Sequence, residues 1–360
     1  MRITTEPLEL QVRGAVRDAL TPAHGPDGPW ARLLEVGAQR FGLPAERDGF
    51  DLGQGVQAAV CEELGRALAG SPYLDTMLAA DCLGGVAADG LAAATAAARL
   101  ALIAGGRLRV AVAAGEPGGD PADALRVDRA GGVWNGVTGP ARGAADAEEL
   151  LLVLDTGATA SLAMVPRDEP GLALDPCPAF GPGACRVRLD RAEIGAGQVL
   201  ATGAAGHALF AGALERARVR QAAYLCGMAL GALEEAVRHA GARRQFGRRL
   251  VDLQVVQHGL AELLARLDAA RLRVRHAAWS LDSGVAGAAA APESLAMAAE
   301  LALDASRAAL HVHGARGMAA EWPVHGYYRW AIVEAHRLGS PRRLWEEAGR
   351  ARLAERTGPA

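Results

Sequence analysis

The run Arg243-Arg-Gln-Phe-Gly-Arg-Arg249 carries the chemistry of an anion clamp placed at the end of a helical stretch. A guanidinium presents a planar fork of donors that matches phosphate oxygens. Gly247 permits a sharp corner, and Phe246 is expected to anchor it. Gln254 and Gln257 follow on the first turns of the next helical stretch. Taken alone, the same run also suits a solvated basic helix end. A second cluster is His311-Val-His-Gly-Ala-Arg-Gly317, followed by Glu321-Trp-Pro-Val-His-Gly-Tyr-Tyr-Arg329. Gly314 and Gly317 leave bare backbone there, although a Gly-x-x-Gly after a helix is also an ordinary cap. His311 and His313 stand two residues apart and do not share a helix face, which argues against a metal pair. A third segment, Ala114-Gly-Glu-Pro-Gly-Gly-Asp120, has the composition of a good turn.

Together these segments resemble the acyl-CoA dehydrogenase family. In that family an Arg-x-x-Phe-Gly junction, followed by Gln on the next helix, grips the adenine-diphosphate half of a FAD held mainly by the neighbouring subunit. The matching residues are Arg243, Phe246 and Gln254. The family's Gln/His-x-x-Gly-Gly-x-Gly segment, where cofactor phosphates and ribose approach the backbone, is matched by His311, Gly314 and Gly317, with Ala315 replacing the middle glycine. Glu116, Pro117 and Asp120 match a loop that holds flavin and substrate, but Gly115 replaces its usual Thr and its Ser is missing.

Other positions are blank. The segment from Trp134 to Asp146 resembles the one leading to an aromatic residue stacked on the flavin and a hydroxyl bonded to its N5, yet Gly143 and Ala145 stand there. The family removes the α-proton of an acyl thioester while hydride leaves the β-carbon for the flavin. So weak a carbon acid needs a positioned carboxylate, which contributes on the order of 10²–10⁴ in rate. Counting from Arg329, the usual base position is Leu338; the position used by a second branch, beside Arg218, is Ala217. Neither takes a proton, so no catalytic residue is assigned. Glu215 and Glu334 lie nearby in sequence, on other helix faces.

These chemical groups require a scaffold that is helical, then strand-rich, then helical. Residues 6–20, 29–41, 56–69 and 75–104 show helical periodicity. Leu108, Val110 and Val112 alternate, and Leu150–Leu154, Ser161–Val165 and Cys185–Leu189 read as short strands between turn signals. From about 207 the pattern is helical to the end. Gly212, Gly227 and Gly231 permit close packing, and Leu260, Leu263, Leu264 and Leu267 fall on one stripe. The expected fold is α+β and multidomain: an N-terminal helical domain (1–106), a middle β-barrel or sandwich (107–204) and a C-terminal four-helix bundle (205–360). The resemblance implies the same architecture, with bundle-to-bundle contacts in the dimer.

The chain has 360 residues, of which 51% are hydrophobic, and a net charge of −3, which gives no electrostatic case for nucleic acid. Its five cysteines lack metal-ligand spacing. No apolar run resembles a signal peptide or a membrane span, so a cytoplasmic, membrane-free protein is expected. The cofactor implied by the resemblance is FAD, and the substrate an acyl thioester of CoA or a carrier protein. The Trp322-Pro-Val-His-Gly-Tyr-Tyr-Arg329 and Leu338-Gly-Ser-Pro341 segments look like those of short actinobacterial members that form two-plus-two assemblies. The implied partner is therefore a homologous, base-bearing subunit, with self-association as the other arrangement. A flavin monooxygenase of this fold, or a non-catalytic scaffold subunit, are the alternatives.

Overall fold

The computed structural model describes residues 7–21, 28–87, 91–116, 125–126, 128–130, 133–155, 160–285 and 287–357. Helices come first: α1 (Pro7–Leu20), α2 (Pro29–Val36), α3 (Gln54–Arg66), α4 (Tyr73–Gly84) and α5 (Leu91–Ala104). Strands follow: β1 (Val110–Ala113), β2 (Leu125–Arg126), β3 (Asp128–Ala130), β4 (Val133–Ala141), β5 (Glu149–Asp155), β6 (Ala160–Pro166), β7 (Leu172–Pro176), β8 (Cys185–Ala192) and β9 (Val199–Thr202). Helix α6 (Gly203–Ala242) then leads into a small hairpin, β10 (Arg244–Gln245) and β11 (Arg248–Arg249). The chain continues as α7 (Gln254–Asp282), α8 (Ala290–His313), α9 (Pro323–Glu334) and α10 (Pro341–Thr357).

Two compact units result. One comprises Met1–Arg32, Gly53–Gly70 and Arg218–Ala360; the other, Leu33–Leu52 and Ser71–Ala217. This grouping cuts across the three consecutive segments read from the sequence, because α1 and α3 associate with the C-terminal helices while α4 and α5 associate with the strands.

The strand-bearing unit holds two sheets. One has the order β1-β5-β6-β9, with β2 also on β5; the other is β3-β4-β8-β7. Leu150, Leu152 and Leu154 of β5 join Trp134, Ala163, Val165, Val187 and Leu189 in one buried cluster. Leu151 and Val153 are buried as well. Strand alternation therefore places apolar side chains on both faces of β5, as expected of a central strand. Helix α4 braces β1, with the Val110 amide donating to the buried Thr76 hydroxyl at 3.1 Å. Helix α5 is tied by Arg99, which bonds Glu149 at 2.6 Å and the Met164 carbonyl at 3.0 Å.

In the other unit α3 crosses α6 almost backbone to backbone. A Cβ at Gly227 would stand 1.9 Å from the Glu62 carbonyl oxygen, and one at Gly65 would stand 1.9 Å from that of Tyr224. Gly231 is crowded by Tyr327 and the Arg66 carbonyl, but Gly212 faces no neighbouring helix, contrary to the sequence expectation. The leucine stripe of α7 is narrower than expected: Leu260, Leu263 and Leu267 are buried, while Leu264 is 49% exposed. Charges fasten α1 onto this core. Arg13 bonds Glu62 at 3.0 Å, Arg17 bonds Glu63 at 2.8 Å, and Arg271 of α7 meets the other side of Glu62 at 2.9 Å.

Candidate functional site

The 243–249 run is a two-residue β-hairpin, in which Arg244 pairs with Arg249 and Gln245 with Arg248. The Leu250 amide donates to the Arg243 carbonyl at 2.9 Å and closes its base. Its central residues are Phe246, φ 52°, and Gly247, φ 76°. Both angles positive define a type I′ turn, which favours Asn-Gly because other side chains are strained there. A left-handed Phe costs roughly 1–2 kcal/mol.

The expectation that Phe246 anchors the corner is overturned, since its side chain is 86% exposed. Backbone pairing and the positive φ of Gly247 make the corner instead. Arg243, Arg244 and Arg248 are exposed and form no ion pair among the described residues, whereas Arg249 is held by Asp252 at 2.8 Å. Gln254 begins α7 and is exposed, as is Gln257 one turn later.

His311 and His313 both lie in the last turn of α8, where they diverge. His311 is exposed, while His313 is buried with Nδ1 2.8 Å from the Ala309 carbonyl. Gly314 caps α8 with φ 60° and ψ −142°, and a Cβ there would meet nothing. That backbone is essentially restricted to glycine, and open space lies beside it. Gly317 is buried, and an added Cβ would stand 3.0 Å from the Leu310 carbonyl oxygen, so its smallness serves packing. The sequence missed what lies behind these segments. His239, one helical turn before Arg243, stacks on His313 at 4.1 Å with 27° between the rings. Trp322 sets its edge against both, at 6.1 and 5.8 Å, and the Arg316 guanidinium lies 5.9 Å over the Trp322 ring. Spacing within one helix cannot announce a pair made by two helix ends.

The blank positions have definite surroundings. Leu338 is buried, and its carbonyl accepts from Arg218 Nε at 3.3 Å. Arg218 is also buried and grips Glu347 of α10 through two bonds of 2.6 and 2.9 Å. Ala217 is buried too. Glu334 is 1% exposed and accepts from Gln221 at 2.9 Å, and Glu215 is half-buried on α6. In the other unit, Gly143 has φ 60° with open space at its absent side chain. The exposed Ala145 donates its amide to the Gly183 carbonyl at 3.0 Å. Of the 114–120 loop, Pro117 to Asp120 lie outside the described residues. Glu116 forms an ion pair with Arg186, and the Gly139 amide donates to the Ala114 carbonyl at 2.9 Å. Among the described residues, no group of three His, Cys, Asp or Glu is arranged to hold a metal ion.

Comparison with known proteins agrees with this architecture. Residues 204–346 match the family described as acyl-CoA dehydrogenase, C-terminal domain. The probable acyl-CoA dehydrogenase YngJ of Bacillus subtilis is 30% identical over 173 residues, 47% of this chain and 46% of that protein, so the match spans about half of the relative's length. Among solved structures, the ChsE4-ChsE5 complex from Mycobacterium tuberculosis superposes with a TM-score of 0.85 at 23% identity, covering 100% of both chains. The steroid ACAD Tcur3481-Tcur3483 gives a TM-score of 0.86 at 26% identity, covering 99% of this chain and 100% of that one. The helix–strand–helix order, the two packed sheets and the C-terminal helices are those of the acyl-CoA dehydrogenase fold, and residues 204–346 match that family's C-terminal domain.

Proposed function

We propose that this chain is the base-lacking subunit of a flavin-dependent acyl-CoA dehydrogenase. In this role it contributes the 243–249 hairpin, Gln254 and the 311–317 segment to a FAD seated mainly in a homologous, base-bearing partner. The single observation that carries the reading is the hairpin. It holds a strained Phe246 outward at 86% exposure beside Arg243, Arg244 and Arg248, which form no ion pair among the described residues. Strain of this kind is retained where a function uses it, and an apolar ring presented to water fits a surface that another subunit covers.

The residues present fit one half of the cofactor. Arg243 and Arg316 are exposed donors suited to diphosphate oxygens, and Gly314 leaves open space for a close approach. They do not provide for the flavin ring within this chain: Gly143 and Ala145 offer neither an aromatic face nor a hydroxyl. When bound, FAD supplies a two-electron acceptor for the hydride leaving the substrate β-carbon. This chain's part is to hold the diphosphate, to orient it through a backbone that is already turned, and to exclude water with Phe246. The α-proton goes to the partner, because the two base positions are Leu338 and Ala217, the half-buried Glu347 carboxylate is held by Arg218, and the buried Glu334 carboxylate accepts from Gln221.

An apolar groove of about 600 Å³ between α6 and α7, lined by Leu230, Leu233, Val237 and Leu264, adjoins the hairpin base at Val251 and suits coverage by a second bundle. The similar structures ChsE4-ChsE5, a complex, and Tcur3481-Tcur3483, a steroid ACAD, support a paired assembly acting on a bulky CoA thioester. Arg243→Ala tests the reading. Losing a charge-assisted bond weakens FAD retention by the assembled enzyme about tenfold to a hundredfold, measured by flavin fluorescence on dilution. Unchanged retention means that the chain acts only as a scaffold.

A further inference from the structure

We infer that the stacked His239–His313 pair is a proton-coupled part of the diphosphate site, taking up one proton when a phosphate oxyanion docks on Arg243 and Arg316. The inference rests on the proposed function for the identity of the anion, and deepens it.

The geometry is specific. Each histidine sits in the last turn of a long helix, His239 on α6 and His313 on α8, where carbonyl ends favour a cation. The rings are nearly parallel at 4.1 Å. At that separation two imidazolium charges would repel strongly, so a proton on one ring disfavours a proton on the other. His313 Nδ1 donates to the Ala309 carbonyl at 2.8 Å, which fixes the orientation of its ring against His239. Trp322 packs edge-on against both rings and keeps them together.

The charges that act on this pair come from every element around it. His239 feels His313 from α8, Arg316 from the short turn after α8, and Arg243 from the end of its own helix; all three are repulsive. Glu321 and His325, which flank Trp322, form no ion pair or side-chain hydrogen bond with either imidazole among the described residues. Burial and these positive charges hold His239 below the ordinary histidine range. Without the anion, His239 is therefore neutral at physiological pH. A phosphate oxyanion on Arg243 and Arg316 cancels their field and reverses the balance. The helix ends then favour an imidazolium, and the proton it carries adds to the hold on the anion.

The sign follows from linkage. A base that is harder to protonate in the folded chain leaves stability intact above the ordinary histidine range and removes it as pH falls through the lowered value. Anion binding shifts protonation upward, so affinity for the anion rises as pH falls.

FAD is a suitable probe because its phosphates are diesters and do not titrate near neutrality. Imidazole titrations followed by 15N-edited NMR, on the chain alone or assembled with a base-bearing homologue, are expected to move to higher pH when FAD is added. FAD affinity is expected to increase by about tenfold or more between about pH 8 and pH 6, within the roughly hundredfold that one fully linked proton allows over two pH units. The pH slope is expected to be flat in His239→Asn and in His313→Gln. Binding of FAD with unmoved imidazole titrations, or a slope that persists in both variants, overturns the inference and leaves the proposed function standing. Absence of FAD binding in both the lone chain and the assembly overturns the two together.

Discussion

At the scale of single residues, the site separates into side chains turned outward and positions that are chemically blank. Phe246 illustrates the first kind. Phe246→Gly relieves a left-handed phenylalanine, so the isolated chain is expected to gain about 1 kcal/mol in thermal or denaturant unfolding, while the assembled enzyme retains FAD less tightly. A loss of stability in the isolated chain would show that Phe246 holds its own fold after all. Leu338 illustrates the second kind. Leu338→Glu places a carboxylate beside the carbonyl that Arg218 already binds, but Gly143 and Ala145, at the positions the proposal assigns to the flavin ring, still lack an aromatic face and a hydroxyl. Under the proposed division of labour the variant is expected to show no acyl-CoA oxidation by the lone chain in a dye-reduction assay, and turnover would refute that division. The sequence singles out Arg243, Gly247, Leu338 and Ala217 by residue type: a guanidinium can hold an anion, glycine permits a corner, and neither leucine nor alanine can accept a proton. It did not disclose the exposure of Phe246, which depends on hairpin pairing, or the His239–His313 stack, which depends on two helix ends meeting.

At the scale of elements, helices α3 and α6 control the unit that carries the hairpin. Their backbones meet at Gly65 and Gly227, where an added Cβ would stand 1.9 Å from a carbonyl oxygen. Gly227→Ala must push the helices apart, and overpacking of this kind costs about 1–3 kcal/mol. The same substitution at Gly212, which meets no other helix, is expected to be neutral or slightly stabilising in the same unfolding assay, and equal effects would refute this packing account. Glu62 ties the neighbouring α1 and α7. Burial pushes its carboxyl up, but the bonds and charges of Arg13 and Arg271 outweigh burial and hold it below the usual range. This contribution is present above the ordinary glutamate value and is lost as pH falls through the lowered one. Acid unfolding should thus begin at lower pH in the native chain than in Arg13→Met, which leaves the buried charge less compensated. Helix and strand periodicity located nearly all of these elements, because burial repeats at 3.6 or 2 residues wherever one face is covered. It ran together the 29–41 and 75–104 helices because an αL residue at Gly37 and the Gly84-Gly85 stop are backbone events with little hydrophobic signature. The grouping of α1 and α3 with distant helices was illegible, since pairing over more than 150 residues leaves no local pattern.

At the scale of the whole molecule, the proposed reading gives a chain with the acyl-CoA dehydrogenase fold only half of a site. General decay would erode outward and inward residues alike, and would not preserve a strained phenylalanine whose cost falls on this chain alone. The segments proposed to clasp the cofactor lie in one unit, on the ends of α6 and α8 and the start of α7, and large apolar side chains stand exposed in the same unit: Phe246 at 86%, Val255 at 82% and Met318 at 67%. Uncovered apolar side chains near a cofactor-binding segment are consistent with a surface closed by another subunit. Co-purification with a base-bearing homologue follows as the decisive measurement. The lone chain is expected to elute without flavin, and the mixed assembly to carry one FAD for each pair of chains, because only the partner seats the flavin ring. Two flavins per pair, or a yellow and fully active lone chain, would mean that this chain seats a ring despite Gly143 and Ala145, and the asymmetry would be lost. One flavin that is retained less tightly in Arg243→Ala but is still reduced by substrate at the native rate separates holding from chemistry. Holding would then belong to this chain and deprotonation to its partner.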